Sequence, residues 1–127
     1  MRDVDAELRA WLVAKSAISA LFAGRVYASL HPPAGYKPAD GPAVTFNPRG
    51  GRPDYSGAIL RYSYQFLSYG ATEALARQGG MALYDAMHDQ GCGPSYRIEC
   101  EQLPQLLQEP ETEWFFSLGF YAVLARA

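Results

Sequence analysis

A chain of 127 residues, 49% apolar and 19% charged, fits one domain with enough apolar content for a real core. A formal net charge of −2 excludes a general basic field for holding nucleic acid, and no apolar run reaches the length that spans a membrane. The opening Met1-Arg-Asp-Val-Asp-Ala-Glu7 is acidic and lacks the apolar centre of a signal peptide, which places the new chain in the cytoplasm. Cys92 and Cys100 are expected to be reduced there, with Cys100 a small core residue of an alternating strand.

The chain opens on a helix. Asp3 or Asp5 can cap it, and Val4, Leu8, Trp11, Leu12 and Lys15 step along one face. A short second helical segment, Ala17 to Phe22, closes at Gly24. Arg25 to His31 reads as a strand on its β-branched and aromatic content. His31 to Pro42 must be a loop, because four prolines and two glycines remove donors and fix φ. Ala43 to Phe46 is a short strand, and Asn47 to Gly57 reads as a second long loop. Ala58 to Tyr69 is the clearest strand. Leu60, Tyr62, Tyr64 and Phe66 share one face, and Ile59, Arg61, Ser63 and Gln65 make the more polar one. A helix runs from Thr72 to about Gln90, with Leu75, Gly79, Ala82, Leu83, Ala86 and Met87 on its buried stripe. Gly79-Gly80 inside it costs about 1 kcal/mol per residue relative to Ala, which a bend or a close helix–sheet approach would offset. Pro94 to Glu101 is a strand, and Leu103 to Pro110 a polar connector.

The last element is a strand with apolar side chains on both faces. Trp114, Phe116, Leu118, Phe120, Ala122 and Leu124 fall on one, Phe115, Tyr121 and Val123 on the other, with Ser117 and Gly119 between them. One small core can cover one face, so the other implies a helix layer or another copy of the protein. The order α-β-β-β-α-β-β makes a single α+β domain over residues 1–127. Its mainly antiparallel sheet has about five strands, with two helices on one face.

No arrangement of residues carries catalysis. Asp85, His88 and Asp89 within one helical turn read as a solvated helix end, with His88 favourable near the C-terminal dipole. Asn47-Pro-Arg-Gly-Gly-Arg-Pro53 lacks the Gly-Lys-Ser/Thr ending of a phosphate loop and opens onto no helix. Two histidines and no second cysteine pair leave no zinc set. No enzyme activity, metal or cofactor is expected. Arg49, Arg52, Asp54 and Tyr55 on the second loop, and Tyr36 and Lys37 on the Pro-rich one, are instead candidates for an assembly interface, since arginine and tyrosine anchor such surfaces.

Several short motifs, taken in order, resemble a known family. They are Leu8-Arg-Ala-Trp-Leu12, Gly24-Arg-Val-Tyr27, Gly41-Pro-Ala-Val-Thr45, Asp54-Tyr-Ser-Gly57, Tyr62-Ser-Tyr-Gln-Phe66 leading into Ala71-Thr-Glu-Ala-Leu75, and Pro110-Glu-Thr-Glu-Trp114 before an aromatic strand. This pattern is similar to the tail-terminator, or tail-completion, proteins of long-tailed bacteriophages and related phage-like particles. The resemblance implies a virion protein that forms a hexameric ring at the tail–neck junction. Such a ring caps the tail tube, ends its polymerisation and joins the tail to the head connector. Its partners would be copies of itself, the tail tube protein and a neck, connector or stopper protein, with DNA passing unread through the channel and no membrane contact. Two other readings are a head-closure or stopper protein of the same neck, and a small monomeric ligand-binding or enzyme domain.

Overall fold

The computed structural model describes residues 3–53, 57–91 and 95–126. Helices α1 (Val4–Val13) and α2 (Ser16–Phe22) come first, followed by β1 (Val26–Tyr27) and a 3-10 turn, Pro38–Asp40. The remainder is β2 (Ala43–Pro53), β3 (Ile59–Gly70), α3 (Glu73–Met87), β4 (Ser95–Gln108) and β5 (Phe115–Arg126). The five strands form one sheet in the order β1-β2-β3-β5-β4. Only β1–β2 is parallel, so the fold is α+β with a mainly antiparallel sheet.

Local chemistry explains the helix starts. The Asp3 carboxylate accepts from the Ala6 amide at 3.1 Å, and the Thr72 hydroxyl from the Leu75 amide at 3.2 Å, each satisfying a donor that the first turn leaves over. All three α-helices lie against one sheet face. Helix α3 packs on β3, β4 and β5, and α2 packs on α3. Leu8, Leu12, Ile18, Phe22, Leu83 and Met87 close on Phe46, Tyr64, Phe66, Tyr121 and Val123 to form the main core.

The two glycines of α3 are explained by this approach. A Cβ on Gly79 would overlap the Ser68 hydroxyl, and one on Gly80 the Ser117 hydroxyl. Ser68 and Ser117 are direct partners across β3 and β5. Two glycines therefore sit on two facing serines, and the helix comes closer to the sheet than side chains there would permit.

Three sequence-based boundaries need correction. The Arg25–His31 strand shrinks to Val26–Tyr27, because the chain turns at Ser29, whose hydroxyl donates to the His31 carbonyl at 2.6 Å. Asn47–Pro53 is strand rather than loop: β2 continues through a bulge between Pro48 and Gly51. Leu103–Gln108 is strand as well, continuing β4 past a register shift between Gln102 and Gln105. Bulges absorb the residues that had suggested breaks.

Candidate assembly interface

Among the described residues, the Pro-rich loop covers one end of the sheet face opposite the helices. There the Pro-rich loop folds back, and Tyr36 turns inward, only 8% exposed. Its hydroxyl donates to the Gly41 carbonyl at 2.6 Å, and its ring meets Tyr69 and Trp114 edge-on. Burial away from water raises the Tyr36 pKa to about 12, with a smaller opposing pull from Arg25. Half-buried Trp114, Phe116 and Leu67 complete this second cluster. Lys37 stays exposed on the same loop, its backbone tied to Asp40 across the 3-10 turn.

The rest of this face is only partly covered among the described residues. Leu118, Phe120 and Leu124 of β5 are half-buried, whereas Tyr121, Val123 and Ala125 beneath the helices are buried. The two faces of β5 alternate as the sequence predicts, and the helix layer takes the face with Ser117 and Gly119. The bulkier residues are left half-exposed. Half-exposed apolar side chains grouped in this way make the face a candidate contact surface.

The half of the open face toward the β2–β3 hairpin is polar. Arg49 lies over the Phe120 ring, its Cζ 3.9 Å from the centroid, and its Nε donates to the Ser63 hydroxyl at 3.3 Å. Ser63 donates to Glu101 at 3.2 Å, and Arg61 pairs with Glu101 at 3.1 Å. Arg97 pairs with Asp89 at 2.7 Å and with Glu99 at 3.3 Å. These side chains are one-third to two-thirds exposed, so each pair is worth under about 1 kcal/mol, and the network fixes side-chain positions more than it stabilises the fold.

The structure distributes the proposed interface residues unevenly. Arg49 and Arg52 share the exposed stretch of β2, Lys37 lies on the distant Pro-rich loop, and Tyr36 is an internal brace. Asp54 and Tyr55 lie outside the described residues, as does Cys92. Gly51 approaches β3 so closely that a Cβ would overlap the Arg61 carbonyl, which holds the bulge before Arg52. Two open depressions flank these features. One, about 330 Å³, runs under the hairpin between Arg52, Pro53, Leu60 and Tyr62. The other, about 380 Å³, lies at the opposite end of the sheet between Leu30, Leu67, Leu107, Pro110 and Phe116. Sequence reasoning missed this second depression, because part of its wall, Leu107 to Pro110, falls in the stretch read as a connector.

His88 has a structural task. Its Nδ1 accepts from the Cys100 amide at 3.1 Å and its ring stacks on Tyr84, so it ties the end of α3 to β4. Cys100 is a free thiol whose pKa is raised, chiefly by burial. Among the described residues no group of three or more His, Cys, Asp or Glu is placed to hold a metal ion.

No protein-family model matches the chain, and no curated protein matches it by sequence. Its structure is similar to a chain from the virion of a native gene transfer agent particle, with a TM-score of 0.74 and 16% identity over 98% of this chain and 95% of that one. At that identity the likeness establishes a shared fold, end to end across both chains.

Proposed function

We propose that the protein is a structural component of a phage-like virion, and within it the ring that caps the tail tube at the tail–neck junction. The observation that supports this reading is the fold shared over nearly the full length of a virion chain. The motif order along the sequence supports the tail-terminator assignment in particular. The half-exposed β5 face supports assembly as the mode of action, since Leu118, Phe120 and Leu124 would gain further burial from a partner.

Termination by such a ring needs no bond chemistry. One ring surface matches the end of the tube, and the other refuses a further tube subunit and receives the neck. The same interface repeated around an axis closes the ring. Arg49, Arg52 and Lys37, all exposed, are the side chains proposed to meet neighbouring subunits, and DNA crosses the central channel without being read.

Deleting the gene from its particle tests the reading. Overlong tubes are the expected result. Tails of normal length lacking heads would transfer the protein to the stopper position one layer higher. Normal, infectious particles would remove it from the neck altogether.

A further inference from the structure

Three large apolar side chains are at least half exposed among the described residues: Leu30 at 60%, Met81 at 50% and Leu103 at 65%. They fall in two places. Leu30 lines the depression on the open sheet face, together with Leu67, Leu107, Pro110 and Phe116. Met81 and Leu103 adjoin the contact between α3 and β4, the outermost strand. There a Cβ on Gly80, the residue before Met81, would come within 3.0 Å of Pro104, the residue after Leu103. Met81 belongs to the helix layer, on the other side of the sheet from the depression, so one chain cannot seat it there itself.

The β4 edge offers side chains rather than backbone at this point. The Ile98 amide donates to the Gln90 carbonyl, the Asp89 amide donates to the Ile98 carbonyl, and the Cys100 amide donates to His88. Beyond Cys100, Pro104 and the register shifts up to Gln105 break the ladder, which disfavours the addition of another strand. The two surfaces are also complementary in charge. Arg77 lies one turn before Met81, and its ion pair with Glu73 is long, 3.8 Å, between two well-exposed side chains. Glu109 lines the depression with His31, and exposed Glu111 follows Pro110. Neither glutamate is in an ion pair among the described residues.

We infer that the depression lined by Leu30, Leu67, Leu107, Pro110 and Phe116 receives Leu103 and Met81 from the β4 edge of a second copy, with Arg77 of that copy set toward Glu109. The contact joins unlike surfaces and is heterologous, so repetition turns around an axis rather than stopping at two. It rests on the ring reading above and specifies which surfaces meet.

Disulfide trapping of the full chain, free in solution and on purified tail tubes of the same particle, tests it. Leu103→Cys mixed with Pro110→Cys should give a covalent dimer, and both changes in one chain a ladder that ends in a closed ring. Either variant alone should cross-link no more than the wild type with its own two cysteines. Leu103→Asp should raise the dissociation constant of the oligomer about tenfold or more, read by native mass spectrometry or, where assembly occurs only on the tube, by co-sedimentation with it. Arg77→Glu and Glu109→Arg should each weaken it by a smaller factor, and the two together should restore most of the affinity, with circular dichroism confirming that each variant folds. Absence of the mixed cross-link, or an assembly indifferent to Leu103→Asp, would overturn the contact and leave the ring standing. A ladder that stops at two would overturn the head-to-tail geometry. A chain that assembles neither free nor on the tubes would overturn the contact and the ring together.

Discussion

The two faces of β5 have similar apolar content and different fates. Tyr121, Val123 and Ala125 are sealed on the helix side, while Leu118, Phe120 and Leu124, on the alternate positions of the same strand, stay half-exposed. Hydrophobicity does not explain the choice, since the exposed set is at least as bulky. Closeness of packing does. Ser117 and Gly119 on one face, opposite Ser68 on β3, leave room for the Gly79-Gly80 turn of α3 to lie almost on the backbone. The larger side chains of the other face would hold a helix off, and they stay half-exposed. The small residues select the helix, and the large ones keep the outer side of the sheet.

This contrast was partly legible. Period-two alternation gave both faces of β5 and β3, and the paired glycines of α3 signalled a close approach. Matching those glycines to Ser68 and Ser117 would have assigned the faces from sequence. The polar half of the open face was not legible, because it depends on strands read as loops. Pro48, Gly50, Gly51 and Pro53 are strong breakers in isolation. They are tolerated in β2 because β1 pairs only with Val44 and Thr45, so the rest of that edge needs no donors, and the bulge absorbs the glycines. Pro104 is tolerated in β4 for the same reason, at the opposite edge and inside a register shift. Edge position is a tertiary fact that residue type does not encode, and the Arg49 and Leu107 surfaces were hidden behind it.

The largest expected effect breaks the sealed face. Phe66→Ala empties a site that is 1% exposed and stacked on Phe46 at 5.0 Å, and should cost about 3–5 kcal/mol in denaturant unfolding. A loss below about 1 kcal/mol would mean that this core is loosely packed.

Gly80→Ala sharpens the packing argument. Alanine gains about 1 kcal/mol in helix propensity, yet its Cβ meets the Ser117 hydroxyl and crowds the Pro104 ring, 3.0 Å away. Overpacking wins, with a net loss of about 1–2 kcal/mol. Ser117→Gly in the same chain should recover part of it, and a stabilised Gly80→Ala protein would show that the helix has room to move away.

Phe120→Ala probes the open face. Removing a half-buried ring and its Arg49 contact should cost the monomer about 1 kcal/mol, well below the Phe66 value, while weakening the oligomer by a larger margin. Equal losses in monomer stability and assembly would identify Phe120 as a residue of the fold alone.

The smallest effect concerns the end of the second face that the Pro-rich loop covers. Tyr36→Phe keeps the ring against Tyr69 and Trp114 and removes only the hydroxyl that donates to Gly41, so about 1 kcal/mol is expected near neutral pH. Its alkaline behaviour is more telling. The folded protein holds the Tyr36 pKa up at about 12, above the ordinary value of 10.0, so folding favours the neutral phenol. That contribution is complete below pH 10, where neither state ionises, and it is lost as the pH rises from 10 through 12 and the unfolded chain releases its proton first. Phenylalanine has no proton to release. The gap between wild type and Tyr36→Phe should therefore narrow across that window in unfolding measurements, and a gap of constant size would show that the hydroxyl titrates alike in both states and that the Pro-rich loop does not seal it from water.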